Sequence, residues 1–188
     1  MIIEPTTLSG VRICTPTVHE DARGFFMESY RQDLLAEAGI NVDFVQDNHA
    51  RSLVRNTVRG LHFQYQPPIA KLVRVTRGSA FLVAIDIRKN SVTLGQWIGI
   101  EASAENKKQL FLAAGFAFGY QTLVEDTEVQ YKCSAVYNPS GEGEIVWNDV
   151  DIAIDWPIKE PPLLSARSAA AGSLKDWLRN PASETFVV

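Results

Sequence analysis

The stretch AKLVRVTRGSAFLVAIDI, residues 70–87, holds two runs rich in β-branched and apolar side chains on either side of Gly78. Such runs fit a pleated, half-buried surface, and the glycine supplies the turn between them. Towards the C-terminus the pattern recurs at Gly95–Ile100, Lys108–Leu112, Ala117–Leu123 and Glu128–Tyr137, broken by turn signals at Lys89-Asn90, Asn106, Gly115 and Pro139-Ser140-Gly141. No long helical pattern separates these runs, so the sequence predicts an all-β antiparallel sandwich or barrel. Towards the N-terminus, Val11–Val18 reads as an opening edge strand interrupted by Pro16, and a turn at Asp21 and Gly24 leads into an aromatic strand through Phe25 and Phe26. Arg31–Ala38 carries Leu34, Leu35 and Ala38 at helical spacing with Gly39 as the stop, which predicts a short helix. The segment Glu144–Trp156 alternates Ile152, Ile154 and Trp156 before Pro157, Pro161 and Pro162 end the sheet, and a last helical stretch near Ser173–Leu178 is expected on the outside of the barrel.

The chain has 188 residues, 46% hydrophobic and 21% charged, which predicts one globular domain over residues 1–188. No apolar run approaches the roughly 20 residues of a membrane helix. A net charge of −4 argues against broad binding to nucleic acid and leaves room for a local cationic pocket. Cys14 and Cys133 are far apart and show no clustering with histidine, and Glu4 stands where a secretory signal carries basic residues. A reduced, cytoplasmic chain without structural zinc is the expectation.

The chemistry concentrates in Arg59-Gly60-Leu61-His62-Phe63-Gln64 and Lys71-Leu72-Val73-Arg74. A polar side chain among alternating apolar residues faces a partner or a cavity. Cations at 59, 71 and 74 are expected to lower the proton affinity of His62 and favour the free base. A base beside cations suits removal of a proton alpha to a ketone: a lysine or arginine stabilises the enolate oxygen, and a phenol such as Tyr131 returns a proton. His19 and His49 lie near turns and are expected to face solvent. Gln46 and Asn48 share a strand face by period two, where reading a ligand and satisfying their own loop are equally good accounts. Arg23 reads either as a solvated turn cation, the slightly better local reading, or as an anion contact. A metal barrel needs two or three converging histidines, whereas the position two after His62 is Gln64 and no histidine follows. A strained GxSxG turn and the dinucleotide-binding glycine fingerprint are both missing.

The motifs D-x-R-G-F-F-x-E-S-Y (21–30), F-V-Q-D-N-H (44–49), R-G-L-H-F-Q (59–64), K-L-V-R (71–74), D-I-R-K-x-S-x-T-x-G-Q-W (86–97), S-A-E-N-K (103–107), G-F-A-x-G-Y (115–120), Y-K (131–132), Y-x-P-x-x-E-G (137–143) and W-N-D-x-x-I-x-I-x-W-P (147–157) resemble, in that order, the dTDP-4-dehydrorhamnose 3,5-epimerase family. The resemblance implies a cupin-like jelly roll, a homodimer without metal or other cofactor, and epimerisation of a nucleotide-diphosphate-linked 4-keto-6-deoxy sugar. By the same resemblance His62 is the proton-abstracting base and Tyr131 the proton donor, with Lys71 and Arg59 near the sugar and phosphates. Arg23, Phe25 and Glu28 become nucleotide or diphosphate contacts that a partner subunit contributes. Gln46, Asn48, Glu142 and Arg167 become further binding residues, and Tyr137 stacks on the base. Two positions depart from the pattern. Phe118 stands where the family's G-F-A-H-G-F has histidine, and Leu164-Ser165-Ala166-Arg167-Ser168 matches L-S-x-K-D, so that Ser168 stands where an aspartate orients the catalytic histidine. These departures predict a divergent epimerase with an altered sugar or a single epimerised carbon, its base weaker or oriented by another acid. A keto-isomerase and a non-catalytic nucleotide-sugar binding module are the rival readings.

Overall fold

The computed structural model describes residues 1–188. Thirteen strands form: β1 (Ile2–Pro5), β2 (Val11–Thr15), β3 (Val18–Asp21), β4 (Gly24–Met27), β5 (Gln46–Ser52), β6 (Val58–Gln64), β7 (Lys71–Arg77), β8 (Ser79–Asp86), β9 (Trp97–Ser103), β10 (Gln109–Leu112), β11 (Phe116–Thr122), β12 (Thr127–Cys133) and β13 (Glu142–Glu144). Three short helices accompany them, α1 (Gln32–Glu37), α2 (Ala166–Ala169) and α3 (Leu174–Arg179). One sheet runs β1-β2-β10-β7-β12-β5 and the other β13-β6-β11-β8-β9, with every pairing antiparallel. The fold is the cupin-like jelly roll.

Alternation along the strands dictates three apolar layers. Val73 and Val75 of β7, Leu82 and Ala84 of β8, Leu110 of β10, Phe118 and Tyr120 of β11 and Val129 of β12 meet between the sheets. The alternate residues Leu61, Phe63, Val83, Ile85 and Ala117 make the outer face of the β6-containing sheet equally apolar. Ile152, Trp156, Leu174, Trp177 and Phe186 from the C-terminal third cover that face. Outside the other sheet, Leu72 and Phe111 pack with Leu35 of α1 and Ile40.

The expected 144–156 strand stops at Glu144, although Ile152 and Trp156 are buried as their alternation suggests. Beyond Glu144, the Asp149 carboxylate accepts the backbone N–H groups of Asp151, Ile152 and Leu174, and Ala153 takes a φ of 50°. Side-chain capping therefore replaces ladder bonds in this segment. The strand expected to run to Tyr137 ends at Cys133, where Ser134 closes the ladder by bonding Ala70 through both its N–H and its hydroxyl.

The pairing of β6 with β11 shapes the interior. His62 lies opposite Phe118, but Arg59 lies opposite Tyr120, so β6 carries one extra residue. In a regular strand, residues 59 and 62 would point to opposite faces; the bulge turns both towards the barrel interior. Gly60 makes the bulge possible with a φ of 102°, and a Cβ there would lie 2.5 Å from the Phe118 carbonyl oxygen. Gly60→Ala is expected to destabilise the protein by about 2–4 kcal/mol, measured by denaturant unfolding, from backbone strain and the clash together.

Candidate active site

Residues of both sheets line a cavity of about 370 Å³ inside the barrel: Arg59 and His62 of β6, Phe118 and Tyr120 of β11, Lys71 of β7 and Tyr131 of β12. Its rim is the segment Leu163–Ser168, which lies against β6. Leu163 bridges Thr57, the Asn56 amide donates to the carbonyls of Glu160 and Pro161, and Val58 N–H donates to the Leu163 carbonyl. The C-terminal third thus contributes to the site as well as to the outer core.

His62 and Tyr131 come from opposite sheets, and the Lys71 ammonium lies 5.7 Å from the Phe118 ring centre and 5.8 Å from that of Tyr131. Burial pushes the lysine below its ordinary value, with Cys133 and Glu142 opposing. Such an ammonium gains from an anion brought into the cavity. Burial likewise pushes the Tyr131 phenol up, against the opposing effects of Asn48 and Arg59, and so favours its protonated form. Arg59 donates from Nε to the Ser52 hydroxyl and from Nη2 to the Arg51 carbonyl, both at 3.1 Å. Phe118 offers no polar group, but two residues on, and on the same face, the Tyr120 hydroxyl is buried without a hydrogen-bond partner.

A smaller cavity shares Lys71 and Tyr131 with the first and adds Gln46, Asn48, Tyr137 and Glu142. The Gln46 amide donates to Asn48 at 2.8 Å and accepts from the Tyr137 N–H at 2.9 Å, while the Tyr137 hydroxyl donates to Glu142 at 3.0 Å. Arg167 Nη1 donates to the same carboxylate at 2.6 Å. Gln46 and Asn48 therefore satisfy each other and still line the pocket. Tyr137 is 49% exposed.

Other expected residues are not brought in. Arg74 lies on the outer face of its sheet and donates to Gln130, because a regular strand separates residues 71 and 74; two cations, not three, border the histidine cavity. Arg23 sits at the tip of the β3–β4 hairpin, paired with Asp21 and with its side chain 90% exposed. Phe25 is 55% exposed beneath the Lys107 ammonium, and Glu28 pairs with Arg31. None of the three reaches the cavities within this chain. His19 and His49 are exposed, as expected, with His49 beside Glu128.

The acid beside His62 was not anticipated by residue number. Glu144 of β13 lies directly opposite His62, so Phe118, His62 and Glu144 form a row across three strands. Its Oε1 is 3.0 Å from His62 Nε2 and its Oε2 is 3.1 Å from Arg167 Nε, with a side chain only 4% exposed. The His62 contact is an ion pair only when the ring is protonated, and neither carboxylate oxygen has a hydrogen-bond partner of good geometry. Burial pushes this carboxyl up, but His62, Ser168 and Arg167 outweigh it and hold it below the ordinary glutamate value. The available signal was the period-two spacing from Glu142. Ser168 is buried at the cavity wall, its hydroxyl 2.9 Å from that of Ser165. No group of three or more His, Cys, Asp or Glu side chains is arranged to hold a metal ion.

An imidazole and a phenol from opposite sheets of a jelly roll line one cavity together with a buried ammonium, an arrangement suited to proton transfer. The family model described as dTDP-4-dehydrorhamnose 3,5-epimerase matches residues 5–176, and the chain belongs to that family of carbohydrate epimerases. It is 51% identical over 180 residues to the dTDP-4-dehydrorhamnose 3,5-epimerase of Salmonella typhimurium, across 95% of this chain and 98% of that one. Among solved structures it resembles the Legionella pneumophila dTDP-6-deoxy-D-glucose-3,5-epimerase in complex with dTDP-4-keto-L-rhamnose, with a TM-score of 0.92, 41% identity, and coverage of 97% of this chain and 96% of that one. It also resembles ChmJ, a 3'-monoepimerase from Streptomyces bikiniensis in complex with dTDP-quinovose, with a TM-score of 0.88, 32% identity, and coverage of 94% and 89%.

Proposed function

We propose that residues 1–188 form one epimerase domain acting on a thymidine-diphosphate-linked 4-keto-6-deoxyhexose. The single observation that carries this reading is the placement of His62 and Tyr131 on opposite sheets of one cavity. His62 removes the proton from a carbon next to the ketone, the C–H electron pair passes to the enolate, and the Lys71 ammonium stabilises the negative charge that develops on its oxygen. Tyr131 then delivers a proton from the other side of the ring, which inverts the carbon. Carbons 3 and 5 both flank a ketone at carbon 4, and a buried carboxylate beside His62 and a free hydroxyl on Tyr120 offset the loss of polar groups at Ser168 and Phe118. We therefore assign the reaction to both carbons. A keto-isomerase does not need donors on opposite faces, and a binding module has no use for a base and a phenol on opposite sheets of one cavity.

The smaller cavity takes the nucleotide, with Tyr137 against the pyrimidine and Gln46, Asn48, Glu142 and Arg167 around it. The diphosphate lies between Arg59, Lys71 and the partner's hairpin in a homodimer. The β3–β4 hairpin pairs with neither sheet and exposes Phe25 and Phe26, and an isolated two-stranded hairpin gains stability from docking. Arg23 at its tip supplies the bidentate cation that a diphosphate suits. The two free, buried cysteines fit the reducing cytoplasm.

Tyr131→Phe tests the division of labour. Solvent deuterium is expected to keep entering the sugar through His62, while formation of inverted product, followed by NMR, falls about 10²-fold. Inversion at the wild-type rate in this variant contradicts the assignment.

A further inference from the structure

We infer that Glu144 is the positioning residue of the base: its carboxylate holds the His62 Nε2–H, so that Nδ1 carries the lone pair that takes the carbon-bound proton, and it then stabilises the imidazolium that forms. The inference rests on the epimerase reading and goes beyond it by assigning a role to a residue that the sequence pattern does not mark. It solves a problem posed by the chain itself. Ser168 at the cavity wall has a hydroxyl, which bonds a ring nitrogen in either tautomer and carries no charge to stabilise a cation.

Three observations carry the inference. Glu144 and His62 are cross-strand partners in register, so the backbone ladder fixes their approach, and Nε2 is 3.0 Å from Oε1. The close approach of β13 is permitted by Gly143, where a Cβ would lie 2.3 Å from the buried Phe63 ring. Finally, the carboxylate is 4% exposed and lies within 3.1 Å of both His62 and Arg167, so that the cost of burying its charge is offset by positive charge at these two neighbours. Arg167 supplies part of that charge in the resting enzyme, and the imidazolium supplies the rest when the proton is taken. The polar groups around the pair are Glu142 of β13, Ser168 and Arg167 of α2, Lys71 of β7, Tyr131 of β12 and Arg59 of β6. Glu144 is the carboxylate that touches the ring.

No covalent change occurs at Glu144. The proton passes from carbon to Nδ1, the electron pair of the C–H bond passes to the enolate, and the carboxylate stays ionised.

The first test is independent of substrate. Long-range ¹⁵N–¹H NMR of the wild-type protein is expected to show neutral His62 protonated at Nε2; a proton on Nδ1 overturns the inference whatever the enzyme's activity. The second test uses Glu144→Gln with a thymidine-diphosphate 4-keto-6-deoxyhexose in deuterated water. Deuterium incorporation is expected to fall about 10²-fold with KM within roughly threefold, and the acid limb of the pH–rate profile to move to lower pH by about one unit, because the imidazolium has lost its counter-charge. Glu144→Asp, which keeps the charge, is expected to leave that limb in place. A Glu144→Gln enzyme within about threefold of wild type and with an unmoved limb overturns the inference. A wild-type protein that incorporates no deuterium refutes the epimerase reading instead, and the NMR result still decides the tautomer.

Discussion

In His62→Ala, incorporation of solvent deuterium into the keto sugar is expected to fall by about 10³–10⁴-fold, with KM for the nucleotide sugar within about threefold of wild type. The size follows from the loss of the one imidazole in the cavity, since His19 and His49 are exposed outside it. The unchanged KM follows from the division of the site. The groups assigned to the nucleotide lie in the adjoining pocket at Gln46, Asn48, Tyr137 and Glu142, which the substitution does not touch. Because His62 pairs across the ladder with both Phe118 and Glu144, the variant also strands a buried carboxylate, and a lowered melting temperature is expected beside the kinetic loss. A variant that keeps its exchange rate within tenfold removes His62 from the role of base.

Lys71→Met is expected to separate activity from stability in the opposite sense. The reaction places negative charge on the oxygen at carbon 4, and removing a preorganised donor from such an oxygen lowers kcat by about 10²–10³-fold. The folded protein, however, bears the cost of burying an ammonium, which Cys133 and Glu142 oppose without outweighing it. Methionine fills a similar volume without that cost, so the variant is expected to be more stable by about 1 kcal/mol or more by denaturant unfolding. The pH dependence has a definite sign. Lys71 binds its proton less tightly in the folded than in the unfolded chain, so between the two values the unfolded chain holds more protons and stability rises with pH. That rise, which ends at the ordinary titration range of lysine, is expected in the wild type and lost in Lys71→Met. A variant that melts lower than wild type while turning over normally contradicts the placement of Lys71 as a strained, charge-stabilising group.

Much of this was visible in the chain itself. The strands β7 to β12 follow alternating apolar runs bounded by turn residues, and the sequence picks out His62, Lys71 and Tyr131 because polar side chains at inward positions need a purpose. The errors are as physical as the successes. Arg74 was grouped with Lys71 although an odd spacing on a regular strand separates their faces, whereas Arg59 and His62, also at an odd spacing, do converge because Gly60 permits a bulge. Period alone therefore fails wherever a strand gains a residue, and a glycine within an apolar run is the warning. Glu144 escaped notice for a different reason. Its importance depends on the pairing of β13 with β6, a long-range register that no local pattern encodes. The segment after Glu144 was expected to stay extended because its alternation survives, yet the Asp149 carboxylate takes the N–H groups that a neighbouring strand would have used.

The central claim is that a base on one sheet and an acid on the other address opposite faces of the same sugar. The most direct measurement is ¹H NMR of the product formed by the wild-type protein from a thymidine-diphosphate 4-keto-6-deoxyhexose in deuterated water. The account predicts deuterium at carbons 3 and 5 with inverted configuration at both and the ketone still at carbon 4. Deuterium with retained configuration at both carbons, or a ketone moved to carbon 3, contradicts it.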